Sequence, residues 1–154
     1  MTSRTHAVMP MVKGEWERHG VSARAGVANV AIEAFERKHK IELPEDVADY
    51  FRAVDGMSED ESDQLGIRFW PLDELRPVVE ELPAAEADPF KDYFVFADYS
   101  MWAHGYAVRL GQPVDDVIIV GGESPVAVAP SFREFLQLYL TQPDRLFPGN
   151  ARSG

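Results

Sequence analysis

Residues 41–56 read IELPEDVADYFRAVDG, and this stretch predicts a short amphipathic helix that begins at Pro44 and ends on Asp55-Gly56. Proline suits the first helical position, because the amide proton that it lacks would have no helical partner there. Gly56 can adopt the left-handed conformation that stops a helix, which leaves Asp55 exposed and acidic. Apolar residues recur at helical spacing and predict one buried face, formed by Leu43, Val47, Tyr50, Phe51 and Val54.

The neighbouring segments predict two more helices and a strand. Residues 26–40 predict a helix with Val27, Val30, Ala31 and Phe35 near one face. Residues 66–70 alternate in polarity and predict a short strand, which Pro71 ends. Residues 72–82 have helical spacing, although Pro77 would kink this helix or split it into two turns.

Four short apolar segments follow at a spacing that is typical of an antiparallel meander. They are residues 93–98, 102–110, 117–120 and 126–129. A final helix is predicted to begin after Ser131, whose side chain can form a capping box with Glu134. Its buried face would consist of Phe132, Phe135, Leu136, Tyr139 and Leu140.

This order of helices, strands and a closing helix predicts a single α+β domain. We expect a largely antiparallel, mixed sheet of four to six strands packed against N-terminal and C-terminal helices. The domain is predicted to span residues 26–142. Residues 1–25 are predicted to be a flexible lead-in from which Trp16 docks on the body, and residues 143–154 a C-terminal tail, disordered past Phe147.

The composition bounds the class of protein. With 154 residues, 45% of them apolar, the chain can form one globular domain with its own core. It has no cysteine, which excludes disulfides and thiolate chemistry and fits a reducing cytoplasm. No segment approaches the roughly 20 apolar residues of a membrane helix, and the N-terminus lacks an apolar run of signal-peptide length. A cytoplasmic, soluble protein is expected.

The net charge of −11 is concentrated in the middle of the chain. Residues 1–41 carry +3, residues 42–92 carry −12 and residues 93–154 carry −2. An acidic middle repels nucleic acid and anionic membranes, and it would steer a basic partner at long range. The alternative is that these acids serve only to keep the domain soluble.

The sequence contains no signal for an enzyme, a metal or a cofactor. The four histidines are scattered and have no second ligand at a metal-binding spacing. Asp98, Ser100 and His104 have the residue types of a catalytic triad, but Ser100 is not in a Gly-x-Ser-x-Gly turn. We interpret that segment as a loop between two strands. A hydrolase with a carboxylate pair stays an alternative, and the acids of 59–63 and 115–116 are expected to be solvated.

Aromatic residues flank the acidic loop of residues 57–64 (MSEDESDQ). Large aromatic side chains surrounded by charge are typical anchors of protein interfaces. The alternative is that Trp70 and Trp102 complete an edge of the core. The predicted protein-binding residues are Asp55, Glu59, Asp60, Glu61, Asp63, Trp70, Tyr99 and Trp102.

In its order of short motifs the chain resembles the SMI1/KNR4 family, also called the SUKH superfamily. The likeness covers residues 27–139. It is carried by Leu43-Pro44, Tyr50-Phe51, Asp55-Gly56, IRFWPLDEL at 67–75, FVFAD at 94–98, YAV at 106–108 and VAPSFREFL at 128–136.

The resemblance implies a single α+β domain without catalytic residues. Many bacterial members look like immunity proteins, which bind and neutralise a polymorphic toxin that is often a nuclease. Others are similar to eukaryotic regulators of cell-wall synthesis that act as interaction hubs. We therefore expect a non-enzymatic, protein-binding domain whose partner is a basic toxin domain. The alternative is a regulatory module with a housekeeping partner.

Overall fold

The computed structural model describes residues 3–58, 60–80, 90–100, 103–111, 113–121 and 125–147, with side chains from Val8 onward. Within these residues the chain forms four α-helices and eight strands. In chain order they are α1 (Ser3–Arg18), β1 (Ala23–Ala25), α2 (Asn29–His39), α3 (Glu45–Ala53), β2 (Val54–Met57), β3 (Ile67–Phe69), β4 (Arg76–Pro77), β5 (Tyr93–Tyr99), β6 (His104–Arg109), β7 (Val117–Val120), β8 (Val126–Ala129) and α4 (Phe132–Thr141).

The strands form two antiparallel sheets. The larger sheet has six strands. Five of them follow the order β3-β5-β6-β7-β8, and the sixth, β4, also pairs with β5, beside β3. The smaller sheet pairs β1 with β2. The predicted meander is confirmed, because β5, β6, β7 and β8 are sequential neighbours and all antiparallel. The α+β class, with helices at both ends of the chain, is confirmed as well.

Helix α3 shows why residues 41–56 decide the fold. The predicted apolar face is buried throughout, from Leu43 to Val54. The helix ends at Ala53, however, and Val54 continues directly into β2, so the predicted stop at Asp55-Gly56 is wrong. Gly56 does have a positive φ of 65°. At Gly56 the backbone of β2 lies very close to the backbone of Trp70, which follows β3. A Cβ at Gly56 would lie 2.6 Å from the carbonyl oxygen of Trp70.

An aromatic cluster joins the helices to the sheet. Phe69 of β3 is fully buried, and its ring contacts rings from α1, α3, α4 and β5. The nearest two are Trp16, with centroids 5.0 Å apart, and Tyr139, at 5.1 Å. Burying a large aromatic side chain of this kind contributes about 1.5–3 kcal/mol to folding before packing terms are added.

Within residues 1–25, for which a flexible lead-in stays a prediction, the described part forms helix α1 (Ser3–Arg18) and strand β1 (Ala23–Ala25). Helix α1 buries Val8, Met9, Val12 and Trp16 at helical spacing and packs against α3 and α4. Pro10 and Gly14, which disfavour a helix in the sequence, lie within it. Tertiary packing of the apolar face therefore outweighs the local cost of these two residues.

Two other segments can be compared with their predictions. Residues 72–80 form no continuous helix, and the predicted split at Pro77 is confirmed, because Pro77 lies in the short strand β4 between two 3₁₀ turns, Leu72–Glu74 and Val78–Glu80. On α2 the buried residues are Ile32 and Phe35, whereas Val30 is 71% exposed and not on the buried face.

The closing helix is confirmed as predicted. The Ser131 Oγ accepts a hydrogen bond from the Glu134 amide at 3.1 Å, which satisfies one of the free donors at the start of α4. Phe132, Phe135, Leu136 and Tyr139 are buried, and Leu140 is half-buried. The predicted disorder of the tail concerns residues 148–154, which lie outside the described residues.

Replacing Gly56 with alanine tests the close approach of β2 to the Trp70 backbone. We expect Gly56→Ala to lower the free energy of unfolding by at least about 3 kcal/mol, because strain of a positive φ adds to a backbone clash. Gly20→Ala is the matched control: its φ is +77° but a Cβ there meets nothing within 4 Å, so about 1 kcal/mol is expected. Chemical denaturation measures both, and equal losses would contradict the interpretation.

Candidate protein-binding site

A groove with a volume of about 580 Å³ lies between the acidic loop and the end of strand β5. We call it the acidic groove. It is lined by Asp60, Glu61, Ser62, Leu65, Gly66, Arg68, Asp98, Tyr99 and Ser100.

The two walls of the groove are held together by backbone bonds. The Ser100 amide donates to the Gly66 carbonyl at 2.9 Å, and strand β3 pairs with β5 through Arg68 opposite Asp98. Ser100 itself has a positive φ of 50°, which turns the chain away after β5. The groove is thus built on the edge of the sheet rather than on a loop alone.

Three carboxylates give the groove its charge, and two of them are held in place by the fold. The Glu61 Oε1 accepts from the Ser22 amide at 2.8 Å, and the Asp98 Oδ1 accepts from the Trp70 indole Nε1 at 2.6 Å. Asp60 is exposed. Each of the three contributes negative charge to the same concave surface.

Arg68, the one cation among the described residues that line the groove, is already paired. The Arg68 guanidinium lies 3.0 Å from the Glu74 carboxylate and also donates to the carbonyls of Ser58 and Met57. Its charge is therefore largely compensated outside the groove, and a net negative surface remains.

An aromatic side chain completes the groove. Tyr99 is half-buried, stacks on His104 with centroids 5.0 Å apart, and meets Phe147 edge-on at 4.9 Å. Burial lowers the pKa of His104 below its ordinary 6.5, so this imidazole adds no positive charge beneath Tyr99 at neutral pH. The ring is braced from behind and presents its remaining surface to the groove.

Asp63, predicted to be solvated and to contact a partner, is buried beneath the acidic loop. Its Oδ1 accepts from the amides of Leu65 and Ile67, each at 2.8 Å, and its Oδ2 accepts from the Tyr139 hydroxyl. Burial raises the pKa of Asp63, and these hydrogen bonds act in the opposite direction. The side chain organises the loop from within, and it is 6% exposed.

Asp55 and Trp70 are also buried, which corrects the expectation that Asp55 is exposed. The Asp55 Oδ1 accepts from the Leu72 amide at 2.7 Å, and Oδ2 lies 3.6 Å from the Arg24 guanidinium. Its carboxyl group lies at a second, more apolar groove of about 310 Å³ between α2 and residues 72–75. Trp70 is 6% exposed and carries the Arg76 guanidinium over its ring at 5.0 Å.

The eight predicted binding residues thus separate into three groups. Asp60, Glu61 and Tyr99 line the acidic groove. Asp55, Asp63 and Trp70 are buried and bonded within the fold. Glu59 and Trp102 lie outside the described residues. Contact of any of them with a partner stays a prediction. Asp115, expected to be solvated, is buried as well.

Sequence reasoning missed Asp98 as a member of this surface. The sequence places Asp98 in a possible triad and in the FVFAD motif, and the structure shows that it lines the groove opposite Arg68. A signal was available, because Asp98 is an acid at the end of an otherwise apolar strand whose next residue is Tyr99. The position of Asp98 opposite Arg68 of β3 could not be predicted from the sequence, because the register of two paired strands depends on the fold.

Other kinds of site find no support in the described part of the chain. Its His, Asp and Glu side chains form no group of three or more that could hold a metal ion. None of its helices has the length and apolar character needed to cross a membrane.

Comparison with known proteins agrees with this fold. The sequence model of the SMI1/KNR4 family (SUKH-1) matches residues 26–138. The chain therefore belongs to the SMI1/KNR4 family, whose members suggest an immunity-type, protein-binding role. No curated protein matches the chain significantly. Helix α1 and the end of α4, including Trp16 and Tyr139, lie outside the matched residues.

The burial of Asp55 leads to a prediction about pH. Burial raises its pKa above the ordinary 3.8, so the folded state binds this proton more tightly than the unfolded state. The stability that this difference in pKa contributes is fully present below the pKa of Asp55 in the unfolded state, and it is lost as pH rises through the raised pKa of Asp55 in the folded state. Between about pH 3 and about pH 7, the unfolding free energy of Asp55→Asn should therefore decline less, or rise more, than that of the wild type.

Urea unfolding at several pH values measures this difference. Asp144→Asn, which changes an exposed carboxyl group, serves as the control and should follow the wild type. Parallel curves for Asp55→Asn and the wild type would contradict the assignment.

Proposed function

We propose that this protein is an immunity-type inhibitor that binds a basic toxin domain through the acidic groove. The observation that supports the proposal most directly is the arrangement of three carboxylates around a braced aromatic ring on the sheet edge. A surface of this kind combines charge for attraction with an aromatic side chain for contact area.

The proposed mechanism is occlusion. Carboxylates of the groove accept charge-assisted hydrogen bonds from Arg or Lys side chains, which a nuclease toxin would use to bind nucleic acid. Glu61 and Asp98 are held by Ser22 and Trp70, so little side-chain entropy is lost when a cation binds them. Association of this kind is fast and sensitive to salt. The proposed place of action is the cytoplasm, whose reducing environment fits a sequence without cysteine.

Of two alternatives, only the hydrolase is weakened by the same observations. A regulatory module with a housekeeping partner could use the same groove, and only the identity of the partner separates the two. A hydrolase would need a carboxyl group free to act as acid or base. In the groove, Asp60 is exposed but Glu61 and Asp98 already accept bonds from the fold, and the carboxyls of Asp55 and Asp63 are bonded within it, so these five acids leave no pair of free carboxyl groups for a hydrolase of the carboxylate-pair type. We therefore propose a non-enzymatic role.

Identification of the partner tests the proposal. The chain is co-expressed with the product of the adjacent gene, and growth is compared with and without it. Rescue of growth, together with recovery of the complex by pull-down from the native host, is the expected result. A host in which no toxin-like protein is recovered would favour the regulatory alternative.

Neutralising the groove should slow association with the identified partner. We expect Asp60→Asn/Glu61→Gln to lower the association rate constant about fivefold or more at low salt, because steering depends on the local potential. The control Glu33→Gln/Glu42→Gln removes the same net charge from exposed positions away from the groove. Stopped-flow kinetics at several salt concentrations measure both, and equal effects of the two variants would exclude the groove as the contact surface.

A further inference from the structure

We infer that helix α1 is a positioning element of the acidic groove, acting on the acidic loop through Trp16, Tyr139 and Asp63. The inference rests on the proposed function for the meaning of the groove. Its structural content, that α1 holds the loop in place through this chain of contacts, can be measured without any partner.

The first step is the turn that Asp63 closes. Its Oδ1 binds the amides of Leu65 and Ile67, and its own amide donates to the Ile67 carbonyl at 2.8 Å. Leu65 and Gly66, which line the groove, lie inside this turn. The orientation of one carboxylate therefore sets the path of the groove wall.

The second step is the hydroxyl group that holds this carboxylate. The Tyr139 hydroxyl donates its single proton to the Asp63 Oδ2, so it can only accept from its other neighbour. That neighbour is the Trp16 indole Nε1, which can only donate, at 2.7 Å. The directions of both bonds are fixed by chemistry, and all three side chains are buried. Loss of the hydroxyl would leave a donor and an acceptor unpaired.

The third step is a second contact between the N-terminal segment and the loop. The Ser22 amide, four residues after α1 ends, donates to the Glu61 Oε1 at 2.8 Å. The loop is thus held at Asp63 from below and at Glu61 from the side. Trp16 and Ser22 lie outside the family match at residues 26–138, and Tyr139 directly follows its last residue, although all three contact residues that shape the groove. Trp16 and Tyr139 are positioning residues in this scheme.

Hydrogen exchange of single amides tests the inference. We expect Tyr139→Phe to speed exchange at the Leu65 and Ile67 amides at least about tenfold, relative to core amides such as Ala107. Without the Tyr139 hydroxyl the Asp63 carboxylate loses a hydrogen bond that holds it in place, so local opening of the two amides that it binds costs less free energy. The matched control is Tyr106→Phe, which removes another buried hydroxyl; that hydroxyl donates to the Leu146 carbonyl at 2.8 Å and lies 3.0 Å from His104 Nε2, but it has no hydrogen bond to the described residues of the acidic loop. It should leave the ratio between loop and core amides unchanged.

A double-mutant cycle tests whether α1 acts through Tyr139. Relative to core amides, Trp16→Phe alone should raise exchange at Leu65 and Ile67, and this increase should be clearly smaller in the Tyr139→Phe background, where only the packing of residue 16 on Phe69 still links α1 to β3. An equal increase in both backgrounds would overturn the relay. Exchange that rises uniformly in loop and core, or does not change, would reduce Tyr139 to a structural residue and overturn the inference. None of these outcomes depends on a toxin, so failure of the proposed function is detected separately.

Discussion

The packing of one phenyl ring explains how the parts of this domain depend on one another. Phe69 contacts aromatic rings of α1, α3, α4 and β5. The three helices are therefore all positioned against the same short strand, β3. Because interiors are packed densely, a shift of any one of these elements would open space around Phe69. Strand β3 has only three residues, yet it lies beside the groove and beneath three helices. The position of the candidate site is therefore tied to the core.

Most of the polar side chains described in this core are hydrogen-bonded, and the buried Tyr50 hydroxyl, which has no hydrogen-bond partner, is an exception. Trp16, Tyr139 and Asp63 form a continuous chain from α1 to the acidic loop, and Asp55 is bonded to the backbone at Leu72. A buried polar atom without a partner costs about 1–3 kcal/mol, which makes such chains sensitive to the loss of any member. The same carboxylates that made the sequence look uniformly acidic thus have two different roles. Buried ones order the backbone, and exposed ones give the groove its potential.

This division of the acids bears on how the protein could recognise a partner. Glu61 and Asp98 each accept a hydrogen bond from within the fold, which fixes their orientation, while the exposed Asp60 can change its orientation. A held carboxylate loses less freedom on binding than a mobile one. Tyr99 contributes area in the same place, with His104 and Phe147 behind it. Membership of the SMI1/KNR4 family supports a protein-binding role, and this groove supplies a specific surface on which to test it.

The sequence alone determined the α+β class, the antiparallel meander, the buried face of α3 and the capped helix α4, because apolar periodicity and capping are local signals. It also pointed to Asp60, Glu61 and Tyr99. Helix α1 was missed because Pro10 and Gly14 mask an apolar face that is stable only against α3 and α4. Asp55 and Asp63 were expected at the surface, since burial of a polar group requires partners that are distant in the chain, such as Tyr139 for Asp63, whereas for Trp70 the sequence left both an interface anchor and an edge of the core open. Only the tertiary structure could decide which acids face solvent, because it alone brings those partners together.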